Sequence, residues 1–143
     1  MNLYTSNESA PVVICVRDEQ YMEPRLRAAQ EISRIEGSPL VLLSICSPAL
    51  SPEETAAWVE RMQRAARAAG AELHVIFDRR PVIAAAAWLR ERGASCVITG
   101  RPGADSNAFV SGLRRLLNAS AASQPGCSVL FCPARTAERR SVG

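Results

Sequence analysis

The stretch Val97-Ile-Thr-Gly-Arg-Pro-Gly103 indicates the fold more directly than any other part of the sequence. A short apolar run ends there in a glycine, and a second glycine follows three residues later. Glycines at these positions let the backbone turn sharply after a strand and approach a ligand closely. Phosphate suits such a loop, because free N–H groups and a helix N-terminus both favour negative charge. The stretch predicts a strand, a tight turn and then a helix that Gly112 opens.

Outward from this stretch, short apolar runs alternate with amphipathic segments. The apolar runs are typical of strands covered on both faces, and the amphipathic segments are typical of helices. The predicted strands are 11–16, 40–46, 72–77, 96–99 and 128–132. The predicted helices are 23–36, 51–69, 81–92 and 109–119. The clearest helix start is Ser51-Pro-Glu-Glu54, which combines an N-cap serine, a proline at the first helical position and two acids.

Strands and helices that alternate in this way form a parallel sheet with right-handed crossovers and helices on both faces. We therefore expect an α/β fold with one domain over 11–134, a flexible N-terminus at 1–10 and a flexible basic tail at 135–143. Such sheets bind ligands at the carboxyl ends of strands, where the winding direction reverses. That edge would bring together the loop after strand one, the end of strand two and the glycine loop.

The amino-acid composition excludes several classes of protein function. All seventeen basic residues are arginine, and a chain without lysine cannot use a P-loop lysine, a Schiff base or a kinase-type strand lysine. The net charge of +3 is mild, and fourteen acids are interspersed with the arginines, so nucleic-acid binding is not expected. No apolar run approaches the roughly 18–20 residues of a membrane span. The N-terminus lacks a signal-peptide pattern, so we expect a cytoplasmic protein with no membrane insertion.

The cysteines and the histidine do not form a recognisable reactive site. The five cysteines show no C-x-x-C pair and no metal-ligand spacing. Most of them lie in apolar runs, where a reduced thiol acts as a small hydrophobe. His74, the only histidine, falls inside a predicted strand and suits a packed position there. No G-x-S-x-G elbow is present. We therefore predict no catalytic residue and no metal site, and at most a weak ATPase activity.

Candidate binding residues come from the three parts of the predicted carboxyl edge. Arg17 offers a bidentate fork to phosphate, and Asp18 or Glu19 can accept hydrogen bonds from a ribose or a base. The alternative is a solvated loop in which Asp18 or Glu19 helps to cap the next helix. The other candidates are Cys46 at the end of strand two, then Gly100, Arg101, Gly103, Ser111, Gly112 and Arg114. The glycines also suit a plain strand-to-helix turn, so both interpretations stay open.

The order of the elements, the glycine loop after strand four and the strand near the C-terminus resemble the universal stress protein family over 11–133. Family members typically carry G-x2-G-x9-G followed by Ser or Thr. Gly100-Arg-Pro-Gly103 matches the first half of this motif. The second half departs, because only eight residues separate Gly103 from Gly112 and Leu113 stands where the hydroxyl residue belongs. Arg17 likewise stands in place of an aspartate that directs the ribose and base in ATP-binding members.

A narrower similarity concerns Val13-Ile-Cys-Val16, its following loop and the Gly-Arg that ends strand four. These features look like the stress-protein domain of potassium-sensing histidine kinases, in which the nucleotide motif is often eroded too. The family resemblance implies a five-stranded parallel sheet in the order 3-2-1-4-5, of the adenine nucleotide alpha hydrolase-like type. It also implies a homodimer formed through the last strand, Ser128 to Cys132.

Two functional hypotheses follow from the resemblance. In the first, the protein is a stress-response regulator with a weakened or lost nucleotide site, acting through dimerisation and contacts with an unknown protein partner or a small anionic ligand. In the second, it still binds ATP or AMP, and Arg101 or Arg114 compensates for the missing hydroxyl. Restoring the motif by Leu113→Ser with one inserted residue is then expected to raise the affinity for ATP.

Overall fold

The computed structural model describes residues 10–16, 22–100, 107–121 and 128–132. The strands are β1 (Val12–Val16), β2 (Leu40–Cys46), β3 (Glu72–Phe77), β4 (Cys96–Gly100) and β5 (Ser128–Cys132). The helices are α1 (Met22–Glu36), α2 (Pro52–Ala69), α3 (Pro81–Arg92) and α4 (Asn107–Ala121). The predicted alternation of strands and helices is confirmed. The ends predicted as flexible, 1–10 and 135–143, lie outside the described residues apart from residue 10.

The strands that the structure describes pair in parallel. β1 lies between β2 and β4, and β3 lies on the far side of β2. The predicted α/β class and the order 3-2-1-4 are therefore confirmed. β5 pairs with β4, from Cys96↔Ser128 to Gly100↔Cys132. Because the chain moves from β1 to β2 on one side and later returns to β4 on the other, the winding direction reverses between β1 and β4.

The sheet separates two hydrophobic clusters, since successive side chains of a strand point to opposite faces. On one face, Val13 of β1 belongs to one cluster with Leu89 of α3 and Leu113 of α4. On the other face, Ile14 belongs to a cluster with Met62 of α2 and residues of α1. The predicted helices on both faces are confirmed. β1 and β2 are buried along their whole length, as expected for central strands of a covered sheet.

Local signals fix the ends of the helices. α2 begins with a capping box, in which Ser51 Oγ accepts from the Glu54 amide at 3.1 Å and the Glu54 carboxylate accepts from the Ser51 amide at 2.9 Å. Gly70 ends α2 with a φ of 71°, and Gly93 ends α3 with a φ of 68°. Glycine adopts this left-handed conformation without the steric penalty of a side chain.

β3 is an edge strand, and the expectation that it is buried on both faces is wrong. Its central side chains are half-buried, and Phe77 at its end is 45% exposed. The ring of His74 lies 5.1 Å from the ring of Trp88. The Arg92 guanidinium lies 4.8 Å from the Trp88 ring and 3.4 Å from a Glu72 carboxylate oxygen. His74 therefore has the packed position that the sequence predicts, and these contacts hold the edge strand to α3.

Candidate functional site

The carboxyl ends of β1 and β4 lie side by side and form the centre of the candidate site. β1 and β4 pair in parallel from Val12↔Cys96 to Ile14↔Ile98, so that their carboxyl ends lie at the same edge of the sheet. β2 reaches further, because Val16 pairs with Ser44 and β2 ends two residues later at Cys46. The end of β2 therefore forms a side wall of this edge.

A buried polar group lies within that wall. Ser44 is fully buried, and its hydroxyl oxygen accepts a 2.7 Å hydrogen bond from the indole N–H of Trp58 on α2. The sulfur of Cys46 lies 3.8 Å from the same oxygen. Cys46, a candidate from the sequence, is itself buried. Cys46 is therefore a small residue of this side wall. It lies beside the Ser44 hydroxyl, which is hydrogen-bonded to Trp58 of α2.

We expect the hydrogen bond from the Trp58 indole to Ser44 to stabilise the folded protein measurably. Trp58→Phe keeps most of the ring but leaves the buried Ser44 hydroxyl without its indole donor, so we expect the free energy of unfolding to fall by about 1 kcal/mol. Ser44→Ala is the matched control, because it removes the other partner of the same bond. In urea denaturation the double variant should lose less than the sum of the two single losses. Strict additivity would show that the bond contributes nothing.

Of the candidates in the glycine loop, the structure describes the backbone of Gly100. It is the last residue of β4 and pairs with Cys132 of β5. The loop therefore leaves from the carboxyl end of β4, beside the end of β1. Arg101 and Gly103 lie outside the described residues. The same holds for the candidates after β1, which are Arg17 and Asp18.

The second half of the glycine motif lies inside α4. The helix begins at Asn107, so the prediction that Gly112 opens it is wrong. Only about the first four N–H groups of a helix lack an internal partner, and the amide of Gly112 comes later. A Cβ atom built on Gly112 would lie 3.2 Å from Cγ2 of Val82. The missing side chain thus lets α4 pack closely against α3.

Leu113, which occupies the position of the family's hydroxyl residue, is a core side chain. It is fully buried in one cluster with Phe109 and Leu117 of the same helix. Residues four apart lie on one face of a helix, so α4 turns this face to the sheet. The neighbouring candidates differ, since Ser111 is half-buried and Arg114 is exposed. The motif predicts that a serine at position 113 would regain a phosphate contact. In the structure, however, the side chain at this position is part of the packed core.

Arg25 is a buried charged residue that the sequence interpretation missed. Its side chain is 9% exposed, and its Nε atom is fully inside. It lies in the first turn of α1, which begins at Met22 just after β1. Arg25, Ala29 and Ile32 share one stripe of that helix, because they are spaced by four and three residues. A charged residue on an otherwise apolar stripe was the signal available in the sequence.

The described part of the chain gives little support to a metal site, a reactive cysteine or a membrane-spanning helix. There, no group of three His, Cys, Asp or Glu side chains is placed to hold a metal ion. Cys15, Cys46 and Cys96 are buried thiols. Among the helices that the structure describes, none combines the length and apolarity that crossing a bilayer requires.

Comparison with known proteins identifies the fold. Neither a family model nor a curated protein matches the sequence. Among solved structures, the chain is similar to a universal stress protein from Archaeoglobus fulgidus, with a TM-score of 0.72 and 20% identity, covering 92% of this chain and 100% of that one. It is also similar to the universal stress protein from Archaeoglobus fulgidus in complex with dAMP, with a TM-score of 0.68 and 18% identity, covering 88% and 99% of the two chains. A universal stress protein in complex with cAMP is similar too, with a TM-score of 0.58 and 20% identity, covering 87% and 96%. The chain therefore has the fold of universal stress proteins.

Proposed function

We propose that this protein is a small, non-catalytic regulator of the universal stress type whose weakened nucleotide site takes an adenosine monophosphate. The observation that carries the proposal is the reversal of winding between β1 and β4, where the glycine loop leaves the sheet. Parallel α/β sheets bind ligands at such a point. Two proteins of the same fold form complexes with dAMP and with cAMP. Each of these ligands carries a single phosphate.

The packing of α4 supports one phosphate in preference to three. Gly112 is held against Val82, and Leu113 is part of the core. Neither position offers a hydroxyl or a free amide to a long phosphate chain. The first amides of α4, from Asn107 onward, remain as donors. A shortened set of donors suits a monophosphate.

The position of His74, the only histidine in the sequence, supports a regulatory role. His74 of β3 packs against Trp88 of α3. The strand β2 separates β3 from β1. The resemblance to stress proteins suggests that ligand binding acts through contacts with a partner. A second copy could pair with β5, which lies next to β4 and is the last strand of the sheet among the described residues. A homodimer through Ser128–Cys132 is part of the proposal.

Isothermal titration calorimetry with AMP, cAMP and ATP tests the proposed ligand. We expect saturable binding of AMP with a Kd between about 10 μM and 1 mM, and no tighter binding of ATP. Gly103→Val in the glycine loop should abolish the heat of binding. Gly70→Asn is the control, because it changes a glycine at the opposite end of α2 and asparagine tolerates the left-handed backbone there.

The competing candidate is a protein that has lost nucleotide binding and acts through protein contacts alone. Arg17 in place of the family's aspartate and Leu113 in place of its hydroxyl residue favour that candidate. Silence with all three nucleotides, together with an unchanged melting temperature at millimolar ligand, would establish it. ATP binding that is much tighter than AMP binding would instead indicate an intact triphosphate site.

A further inference from the structure

We propose that the outer edge of β3 pairs with the same edge of a second copy of this chain, in an antiparallel arrangement. This inference goes beyond the proposed function, because it needs no nucleotide and concerns the edge of the sheet opposite to β5. Among the described strands, β3 is the last on its side. No described residue outside β2 forms a backbone hydrogen bond with it. The outer N–H and C=O groups of β3 therefore offer a template for another strand.

One hydrogen bond shows which backbone groups face this outer edge. The Asp78 amide donates to the Cys46 carbonyl of β2 at 3.0 Å, just beyond the pair Cys46↔Phe77. The backbone groups of successive residues in a strand point alternately to its two edges. Residues at an even spacing from Asp78 therefore face β2, whereas Leu73, Val75 and Phe77 direct their N–H and C=O groups outward.

These three residues form a set that is complementary to itself. An antiparallel copy that places Val75 opposite its own equivalent also places Leu73 opposite Phe77 of the second copy. Residues that face each other in this way exchange both of their N–H···O bonds. All the outward N–H groups, three in each strand, then have a carbonyl partner. A copy shifted by two residues would leave one outward residue of each strand without a partner in β3.

The side chains of the same three residues favour this pairing. Leu73 packs against the cluster that contains Met62 of α2, and Ile76 packs against the opposite cluster. The odd-numbered residues of β3 therefore turn to the α2 face. Val75 is half-buried there, and Phe77 is exposed. In the pairing, Phe77 lies beside Leu73 of the second copy, and such apolar cross-strand pairs stabilise antiparallel sheets.

β3 lacks the features by which edge strands usually avoid such association. Its pairing with β2 is continuous from Glu72 to Phe77, without a bulge. The residues between these two read Leu-His-Val-Ile, with no proline, no glycine and no Asp, Glu, Lys or Arg. Charged side chains, prolines and bulges are the usual protection of an edge, so β3 is suited to accept another strand.

Charges at the two ends of β3 favour a second copy as the partner. In the antiparallel arrangement, Glu72 of one copy comes beside the corner Asp78-Arg79-Arg80 of the other. Arg79 and Arg80 are exposed, and the Asp78 carboxylate already accepts the Arg80 amide at 2.7 Å. Glu72 is exposed and lies 3.4 Å from Arg92 of its own chain, which leaves lone pairs for another arginine. A two-fold axis makes this contact twice.

Amide hydrogen exchange measured by NMR tests the pairing residue by residue. A contact between two six-residue strands is small, so we expect a Kd of about 100 μM. The amides of Leu73, Val75 and Phe77 should then exchange roughly four-fold more slowly at about 1 mM protein than at about 10 μM. The amides of His74 and Ile76, which face β2, are the internal control and should be protected at both concentrations.

Val75→Pro tests the same contact by mutation. It removes one outward N–H group and leaves the ladder to β2 intact, because this amide points away from β2. We expect self-association, measured by sedimentation equilibrium, to weaken by about ten-fold or more. Val75→Ala is the matched control, since it shortens the same side chain but keeps the N–H group, and should weaken association by less than about five-fold. Thermal unfolding shows beforehand that both variants are folded.

The outcomes separate this contact from the homodimer through β5 that belongs to the proposed function. A smaller assembly for Val75→Pro than for wild type, with Val75→Ala close to wild type, supports the β3 contact. If wild type associates and Val75→Pro associates equally well, the β3 contact is wrong although the β5 homodimer stands. A wild type that is still monomeric at about 1 mM overturns both. Should Val75→Pro fail to fold, the exchange rates decide, and outward amides that exchange equally fast at both concentrations overturn the inference.

Discussion

Replacing Leu113 by serine should destabilise the protein by about 3–5 kcal/mol and should not improve nucleotide binding. The side chain is fully buried between α4 and the sheet. Its loss leaves a cavity, and the new hydroxyl enters an apolar cluster. Because small domains have a total stability of only about 5–15 kcal/mol, the loss is a large part of the whole. Urea denaturation of both proteins at one temperature measures it.

Two further variants isolate the cause of this loss. Leu113→Ala creates the cavity without the hydroxyl and should account for most of the effect, about 2–5 kcal/mol. Leu113→Met conserves the volume and should cost less than about 1.5 kcal/mol. A serine variant as stable as wild type that also bound AMP more tightly would show that residue 113 faces the ligand. The motif would then act as the family resemblance first suggested.

Replacing Gly112 by valine should cost about 1–3 kcal/mol, through overpacking between α3 and α4. Even a single Cβ atom at this position would lie 3.2 Å from Val82, and valine adds two more methyl groups. The substitution should therefore push the two helices apart. AMP affinity, measured below the unfolding transition, should stay within about two-fold of wild type.

Rescue by the neighbouring residue gives the sharper test of this packing. Val82→Ala makes room, so the double variant with Gly112→Val should recover part of the lost stability, with a coupling of about 0.5–3 kcal/mol. Arg115→Val places the same residue type on an exposed position of α4 and should cost about 0.5 kcal/mol. A Gly112→Val protein with unchanged stability but lost AMP affinity would place this glycine at the phosphate after all.

Much of the fold could be predicted because the decisive signals are local. The continuous apolar runs of β1 and β2 indicate central strands, and Ser51 with Glu54 marks the start of α2. The edge position of β3 follows from the order that the family resemblance implies and not from its own residues, since an apolar run alone does not distinguish an edge strand from a central one. Its half-exposed side chains reflect the lack of a second neighbouring strand.

The candidate site was harder to predict, because motif spacing does not report the phase of a helix. Comparison with the family pattern aligns Gly112 and Leu113 with the second half of a phosphate motif, from which their spacing and the missing hydroxyl depart. The four-residue spacing of Phe109, Leu113 and Leu117 indicates a buried face of α4, and that periodicity gives the correct role. Arg25 was missed for a related reason. Attention to loops after strands overlooks a charge within the first turn of a helix.

The two hydrophobic clusters on opposite faces of the sheet help to fix the arrangement of the strands at the candidate site before any ligand binds. Ile14 and Cys15 are neighbours in the chain but pack into different clusters. A slip of β1 by one residue would exchange these environments and spoil both interfaces at once. The register of β1 against β4, from Val12↔Cys96 to Ile14↔Ile98, is therefore fixed by core side chains on both faces of the sheet. Strands that are aligned before a ligand arrives need little of the proposed nucleotide's binding energy for their own ordering.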